Sequence, residues 1–183
     1  MTIPRNLSNL APGANSTGVL APTKGGTGSS TTFTLGSVVF AGSSGVYTQA
    51  NSQLFWDNTN NRLGIGTATP AAKFDLVGDY KEGVVTANTG TAYTISLATG
   101  TFQILTLTGN CTFTFPTATA GQSFMMFLKQ DATGSRTVTW PAVVKWPSST
   151  APTITATASK GDKFVFTADG TNWLGSVAGQ NYL

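Results

Sequence analysis

The sequence predicts an all-β protein with an extended N-terminal arm, a small β-hairpin module and a C-terminal antiparallel β-sandwich of jelly-roll type. Three observations carry this. Threonine supplies 32 of the 183 residues and glycine 21, whereas charged residues make up only 9%, against a usual value of roughly 25%. Short runs rich in Thr, Val, Ile, Phe and Tyr, the residues that fit a pleated surface, recur along the chain between clusters of Gly, Asn, Asp and Pro. No apolar 3.6-residue period persists over a useful length; residues 71–75 would make one helical turn at most.

Residues 1–32 read as the arm. Ile3, Leu7, Leu10, Val19 and Leu20 are spaced apolar anchors, interrupted by Pro4, Pro12, Gly13, Gly18 and Pro22, a density that helices and central strands reject. Flexible linkers seldom carry five large aliphatic side chains, so these residues are expected to dock outside their own domain, with Arg5 as partner for a carboxylate there.

Residues 33–76 read as the hairpin module. Two extended runs flank Gly42-Ser-Ser-Gly45, a hairpin signal. Leu54-Phe-Trp then leads into Asp57-Asn-Thr-Asn-Asn61, residue types that tolerate left-handed turns. Leu63 and Ile65 alternate with Gly64 and Gly66 in a strand period, and Pro70 closes the unit. Strands this short expose edges and bury little alone. Partner chains are expected to complete the module, with Phe40, Phe55, Trp56, Leu63 and Ile65 at a threefold contact.

Residues 77–83 hold three of the few charges, Asp79, Lys81 and Glu82, and mark a boundary. From 84 to 183, strand-like runs follow at 84–87, 92–97, 102–108, 112–115, 123–129, 137–140, 143–146, 153–157, 163–167 and 172–177. Turn signals such as Thr108-Gly-Asn, Asp131-Ala-Thr-Gly134 and Ala168-Asp-Gly170 separate them. Eight to ten short strands at this spacing imply the sandwich. Met125 and Met126 lie on opposite faces of one strand, so at most one is core and the other is free to face a neighbouring subunit. Trp140, Trp146 and Trp173 suit core corners first and sugar stacking second.

The segment from Leu54 to Leu76, with Phe-Trp-Asp, Asn-Asn-Arg-Leu-Gly-Ile-Gly and Thr-Pro in order, resembles a module repeated in bacteriophage tail fibres and other virion appendages. Asn9-Leu-Ala-Pro-Gly-Ala14 and Lys24-Gly-Gly-Thr-Gly28 resemble N-terminal segments of phage fibre proteins. Leu105-Thr-Leu-Thr-Gly-Asn-Cys-Thr-Phe-Thr-Phe-Pro116 and Asp169-Gly-Thr-Asn-Trp173 resemble a C-terminal β domain frequent in phage tail fibres and virion surface proteins. The resemblance implies a bacteriophage structural protein on the virion surface; the single cysteine fits synthesis in the reducing host cytoplasm.

The residue inventory narrows the chemistry. There is no histidine and one cysteine, Cys111, which excludes histidine triads, four-cysteine zinc sites and an intrachain disulfide. Asp57, Asp131, Asp162 and Asp169 stand in turn contexts, where Asp caps backbone groups. Gly64-Ile-Gly-Thr lacks the third glycine and the helix of a dinucleotide loop. No enzymatic activity, cofactor or metal is therefore expected. Net charge is +3 with an isoelectric point near 9.2, but Lys129, Arg136, Lys145, Lys160 and Lys163 stand singly, so no nucleic-acid partner is expected. Met1-Thr-Ile-Pro-Arg-Asn lacks the pattern of a secretion signal, and no apolar run suits a membrane helix.

The leading expectation is a homotrimeric capsid decoration (cement) protein, anchored to the major capsid protein through Ile3, Arg5, Leu7, Leu10, Val19 and Leu20. One alternative is a short trimeric tail fibre or receptor-binding protein, with tail or baseplate proteins and a host surface glycan as partners. A stand-alone carbohydrate-binding module is the other.

Overall fold

The computed structural model describes residues 32–183; the arm and its candidate anchors Ile3, Arg5, Leu7, Leu10, Val19 and Leu20 lie outside the described residues. The chain divides into two compact units, one ending at Tyr80 and the other spanning Lys81–Leu183.

Among the described residues, the first unit contains five short strands. β1 (Val39–Ala41) and β2 (Tyr47–Gln49) form an antiparallel hairpin. β3 (Leu54–Asp57) pairs antiparallel with β4 (Arg62–Ile65), and β5 (Phe74–Leu76) adds parallel to β4. The β3–β4 turn forms for a local reason. Asp57 Oδ1 accepts the backbone N–H groups of Thr59 and Asn60 at 3.0 and 3.1 Å, and Asn61 takes φ +53°, a left-handed state that Asn tolerates. Lys73 Nζ donates to the Asn60 and Asn61 carbonyls. The helical turn expected at residues 71–75 does not form. Asp75 accepts the Ala71 N–H at 2.6 Å, and the chain bends directly into β5.

The second unit holds nine strands in two sheets. β6 (Val84–Asn88), β8 (Phe102–Leu107), β10 (Ser123–Gln130), β12 (Val144–Lys145), β13 (Gly161–Ala168) and β14 (Trp173–Tyr182) form a six-stranded sheet, in the order β12-β14-β13-β10-β8-β6. β7 (Ala92–Thr94), β9 (Cys111–Thr114) and β11 (Val138–Thr139) form a three-stranded sheet, in the order β11-β9-β7. The all-β expectation holds, but the pairing departs from an antiparallel jelly roll. β6, β8 and β10 are mutually parallel, β12 is parallel to β14, and only β13 runs against its neighbours. The smaller sheet is parallel throughout.

The reason is connectivity. From β6 to β12 the chain alternates between the sheets, so each strand of the smaller sheet serves as the return path that parallel neighbours require. A strand followed by a turn signal looks the same in sequence whether the next strand pairs beside it or crosses to the opposite sheet.

Both sheets feed one core. Cys111 and Phe113 of β9 join Leu105, Leu107, Phe124, Met126, Phe164, Phe166 and Trp173 from the larger sheet, all buried. Phe115 lies 5.0 Å from Phe166 and 5.4 Å from Phe124, centroid to centroid. Met126 is the core member of the methionine pair. Trp173 is fully buried with its indole N–H donated to the Pro116 carbonyl at 2.9 Å, the partner a buried tryptophan needs.

The strand expected at residues 153–157 is absent. This segment is extended, but side chains rather than a ladder satisfy its backbone. Asp162, itself buried, accepts the Thr155 N–H and hydroxyl at 2.6 Å each. Gln130 donates to the Thr155 carbonyl at 2.8 Å, and Gln180 donates to that of Thr153 at 2.7 Å.

Candidate functional site

The first unit buries no large apolar side chain among its described residues. Its registers explain where its apolar residues go. Leu54 faces Ile65 and Trp56 faces Leu63 across β3–β4, while Leu63 and Ile65 neighbour Phe74 and Leu76 across β4–β5. Side chains at paired positions share a face. Six apolar residues thus coat one side of a three-stranded sheet, and none is buried; Trp56 remains 38% exposed and Phe74 58%.

Of the five residues expected at a subunit contact, Trp56, Leu63 and Ile65 are brought together here. Phe55 points to the other side of β3, where its ring lies against Gly36 and its backbone bridges Ser37. Phe40 belongs to the separate β1–β2 hairpin, where it is 41% exposed. Leu54, Phe74 and Leu76 complete the apolar face. Leu54 stands two residues from Trp56 and so shares its face once a strand is assigned, a signal hidden by the continuous apolar run through Phe55, and β5 pairing parallel to β4 has no local sequence signature.

Glycine spacing in this unit answers to close packing. Gly66 takes φ +74°, and a Cβ there would run into the Val77 carbonyl; one at Gly64 would meet the Thr67 carbonyl.

A second apolar face lies on the outside of the six-stranded sheet. Val84 pairs with Phe102, Phe102 with Met125, Met125 with Val165, and Ile104 with Phe127. None of these six side chains is buried, so Met125 sits on the outer face opposite Met126.

Asp57, Asp131, Asp162 and Asp169 are committed to structure. In Asp131 the side-chain bond from Arg136 and the Gly134 and Thr133 N–H groups hold the carboxyl below its usual range. Asp57 is lowered by the Asn60 side chain and the backbone N–H groups of Asn60 and Thr59. Asp169 is lowered by the N–H groups of Asn172 and Thr171. Asp162 spends its oxygens on Thr155, Asn181 and Gln180. Burial pushes the Cys111 thiol up, away from reactive thiolate character. Among the described residues no three His, Cys, Asp or Glu side chains cluster in a way that would hold a metal ion, and no helix is long and apolar enough to cross a membrane.

The three C-terminal tryptophans separate. Trp173 is core. Trp140 and Trp146 are half-buried, 5.1 Å apart edge to face. Trp140 also stacks on Phe113 at 5.5 Å and packs against Phe164 at 5.4 Å, and part of its surface lines a cleft of about 340 Å³ between residues 135–140 and 151–156.

Residues 84–172 match a family model described as "Putative phage tail fibre C-terminal domain". No curated protein and no solved structure matches the chain.

Proposed function

We propose, for a bacteriophage virion surface protein whose residues 84–172 are of tail-fibre type, a role as a short homotrimeric tail fibre or tail-associated receptor-binding protein. The match over 84–172 is the observation that carries this reading. It favours the tail over the capsid-decoration role that the arm suggests.

Three copies of the chain would associate through the apolar face of the first unit. A sheet normally buries one face against another layer. Here Leu54, Trp56, Leu63, Ile65, Phe74 and Leu76 share a face without burial, and partner chains would supply the missing layer. The role is structural and non-enzymatic in this reading, in keeping with the tail-fibre match and with Asp57, Asp131, Asp162 and Asp169 being engaged in turns and in the Thr155 anchor. Partners in this reading are two further copies of the chain, tail or baseplate proteins, and a host surface molecule.

The test is immunogold labelling of intact virions with antibody raised against the chain, combined with copy number by quantitative mass spectrometry. Labelled tail tips and a few to some tens of copies are expected. Labelled heads and hundreds of copies would return the protein to capsid decoration.

A further inference from the structure

We propose that the cleft between β11 and residues 151–156 binds an uncharged saccharide. This rests on the receptor-binding reading and assigns that function a site.

The cleft exists because residues 151–156 never join the sheet. Asp162, Gln130 and Gln180 hold Thr153 and Thr155 by their backbone groups, and the Ser135 N–H donates to the Ala156 carbonyl at 2.7 Å, closing one end. On the opposite wall, β11 is the outer strand of its sheet. Val138 pairs with Cys111, and the Cys111 N–H donates to the Thr137 carbonyl at 2.9 Å. In a parallel ladder this parity turns the N–H and C=O of Val138 away from β9, toward the unpaired edge that borders the cleft. One donor and one acceptor therefore stand beside an apolar floor of Trp140, Pro152 and Ile154.

That combination fits a sugar ring, which has a C–H face for an aromatic surface and a rim of hydroxyls. Trp140 is held by Phe113 and Trp146, so little side-chain freedom is lost when a ligand lands on it. The volume of about 340 Å³ is at the small end of ligand pockets. Charge selects the class. Arg136 is the one ionic group among the lining residues, and its Nε and Nη2 already donate to Asp131 Oδ2 at 3.1 and 2.9 Å. A neutralised cation gives an anionic sugar little advantage. The edge length argues against an extended peptide, since β11 has two residues, fewer than the three to ten of an ordinary strand.

The test titrates the full-length chain with the methyl glycosides of glucose, galactose, mannose and N-acetylglucosamine, read by amide and indole chemical shifts. At least one should shift the Trp140 indole and the Val138 and Thr153 amides saturably, with a dissociation constant of about 1 mM. Thr153→Arg, which places a long side chain at the exposed rim, should weaken binding by about tenfold or more at an unchanged melting temperature. Trp140→Phe, which keeps a ring in the core, should weaken it less. Saturable shifts elsewhere, no saturation with any of the four, or response only to the peptide acetyl-Thr-Val-Thr-Val-amide would overturn the assignment. A separate arm measures whether the chain blocks virion adsorption to host cells. Blocking by wild type and by Thr153→Arg alike sinks the cleft and leaves the fibre reading standing; no blocking by wild type sinks the fibre reading, while the sugar titration still decides the cleft.

Discussion

At the scale of single residues, Asp162 carries more structure than any other polar group described. Its carboxylate accepts from the Thr155 N–H and hydroxyl, the Asn181 N–H and the Gln180 amide. Removing a buried acceptor leaves its donors unsatisfied, at roughly 1–3 kcal/mol each. Asp162→Ala is therefore expected to cost about 3 kcal/mol or more and to free residues 151–156, read as a lower urea midpoint and lost amide protection at Thr155. The surface aspartates give a pH dependence. The folded-state carboxyls of Asp57, Asp131 and Asp169 are held below their usual range. Their contribution is fully present above the unfolded carboxylate value of about 3.9 and is lost as pH falls through the lower folded values. Thermal stability should hold from neutrality to about pH 5 and drop below about pH 4. Asp131→Asn should flatten that drop and lower stability at pH 7; equal acid sensitivity in the variant would refute the assignment.

At the scale of elements, the β3–β4–β5 sheet is the informative one. Trp56→Asp would place a charge in the middle of its apolar face, where an interface leaves an unpaired carboxylate poorly solvated. If the chain forms the homotrimer proposed above, the expected result is dissociation to monomers in light scattering at micromolar concentration; an oligomer unaffected by the change would move the contact elsewhere. Gly66→Ala tests the packing of β5 on β4. Its positive φ and the Val77 carbonyl at the Cβ position predict a loss of about 1–3 kcal/mol, visible as earlier loss of Trp56 fluorescence change on heating.

At the scale of the whole molecule, the core is unevenly distributed. Every buried hydrophobic side chain among the described residues falls between Ile95 and Trp173, inside the second unit. A fragment covering Lys81–Leu183 should therefore fold cooperatively by itself. The chain up to Tyr80 should give a folded spectrum only as an oligomer, with a melting temperature that rises with concentration. Concentration-independent melting of the isolated first unit would contradict this.

Strand content was legible in the sequence because strand-forming residues and turn residues act locally. Nine of the ten runs read in the C-terminal half meet a strand, and the turns at Asp57, Asp131 and Asp169 close as their side-chain chemistry requires. Alternation showed that Met125 and Met126 lie on opposite faces, and the structure decides that Met126 is the core member. Residues 153–157 escaped this logic, since strand propensity cannot show that Asp162 and Gln130 will take the backbone bonds a neighbouring strand would have made. The sheet partners of β6 to β12 escaped it too. Direction and neighbour depend on which sheet the chain enters after each turn, a matter of long-range packing such as that of Phe115 against Phe166 and Trp140 against Phe164. The candidate surfaces divide the same way. The sequence put Phe40, Phe55, Trp56, Leu63 and Ile65 in one contact set; strand parity turns Phe55 to the face of β3 opposite Trp56, Phe40 sits on the β1–β2 hairpin, and the parallel pairing of β5 brings in Phe74 and Leu76. The cleft beside Trp140 belongs wholly to tertiary structure, because its walls, 135–140 and 151–156, meet only after β11 becomes an edge and residues 151–156 are held off it.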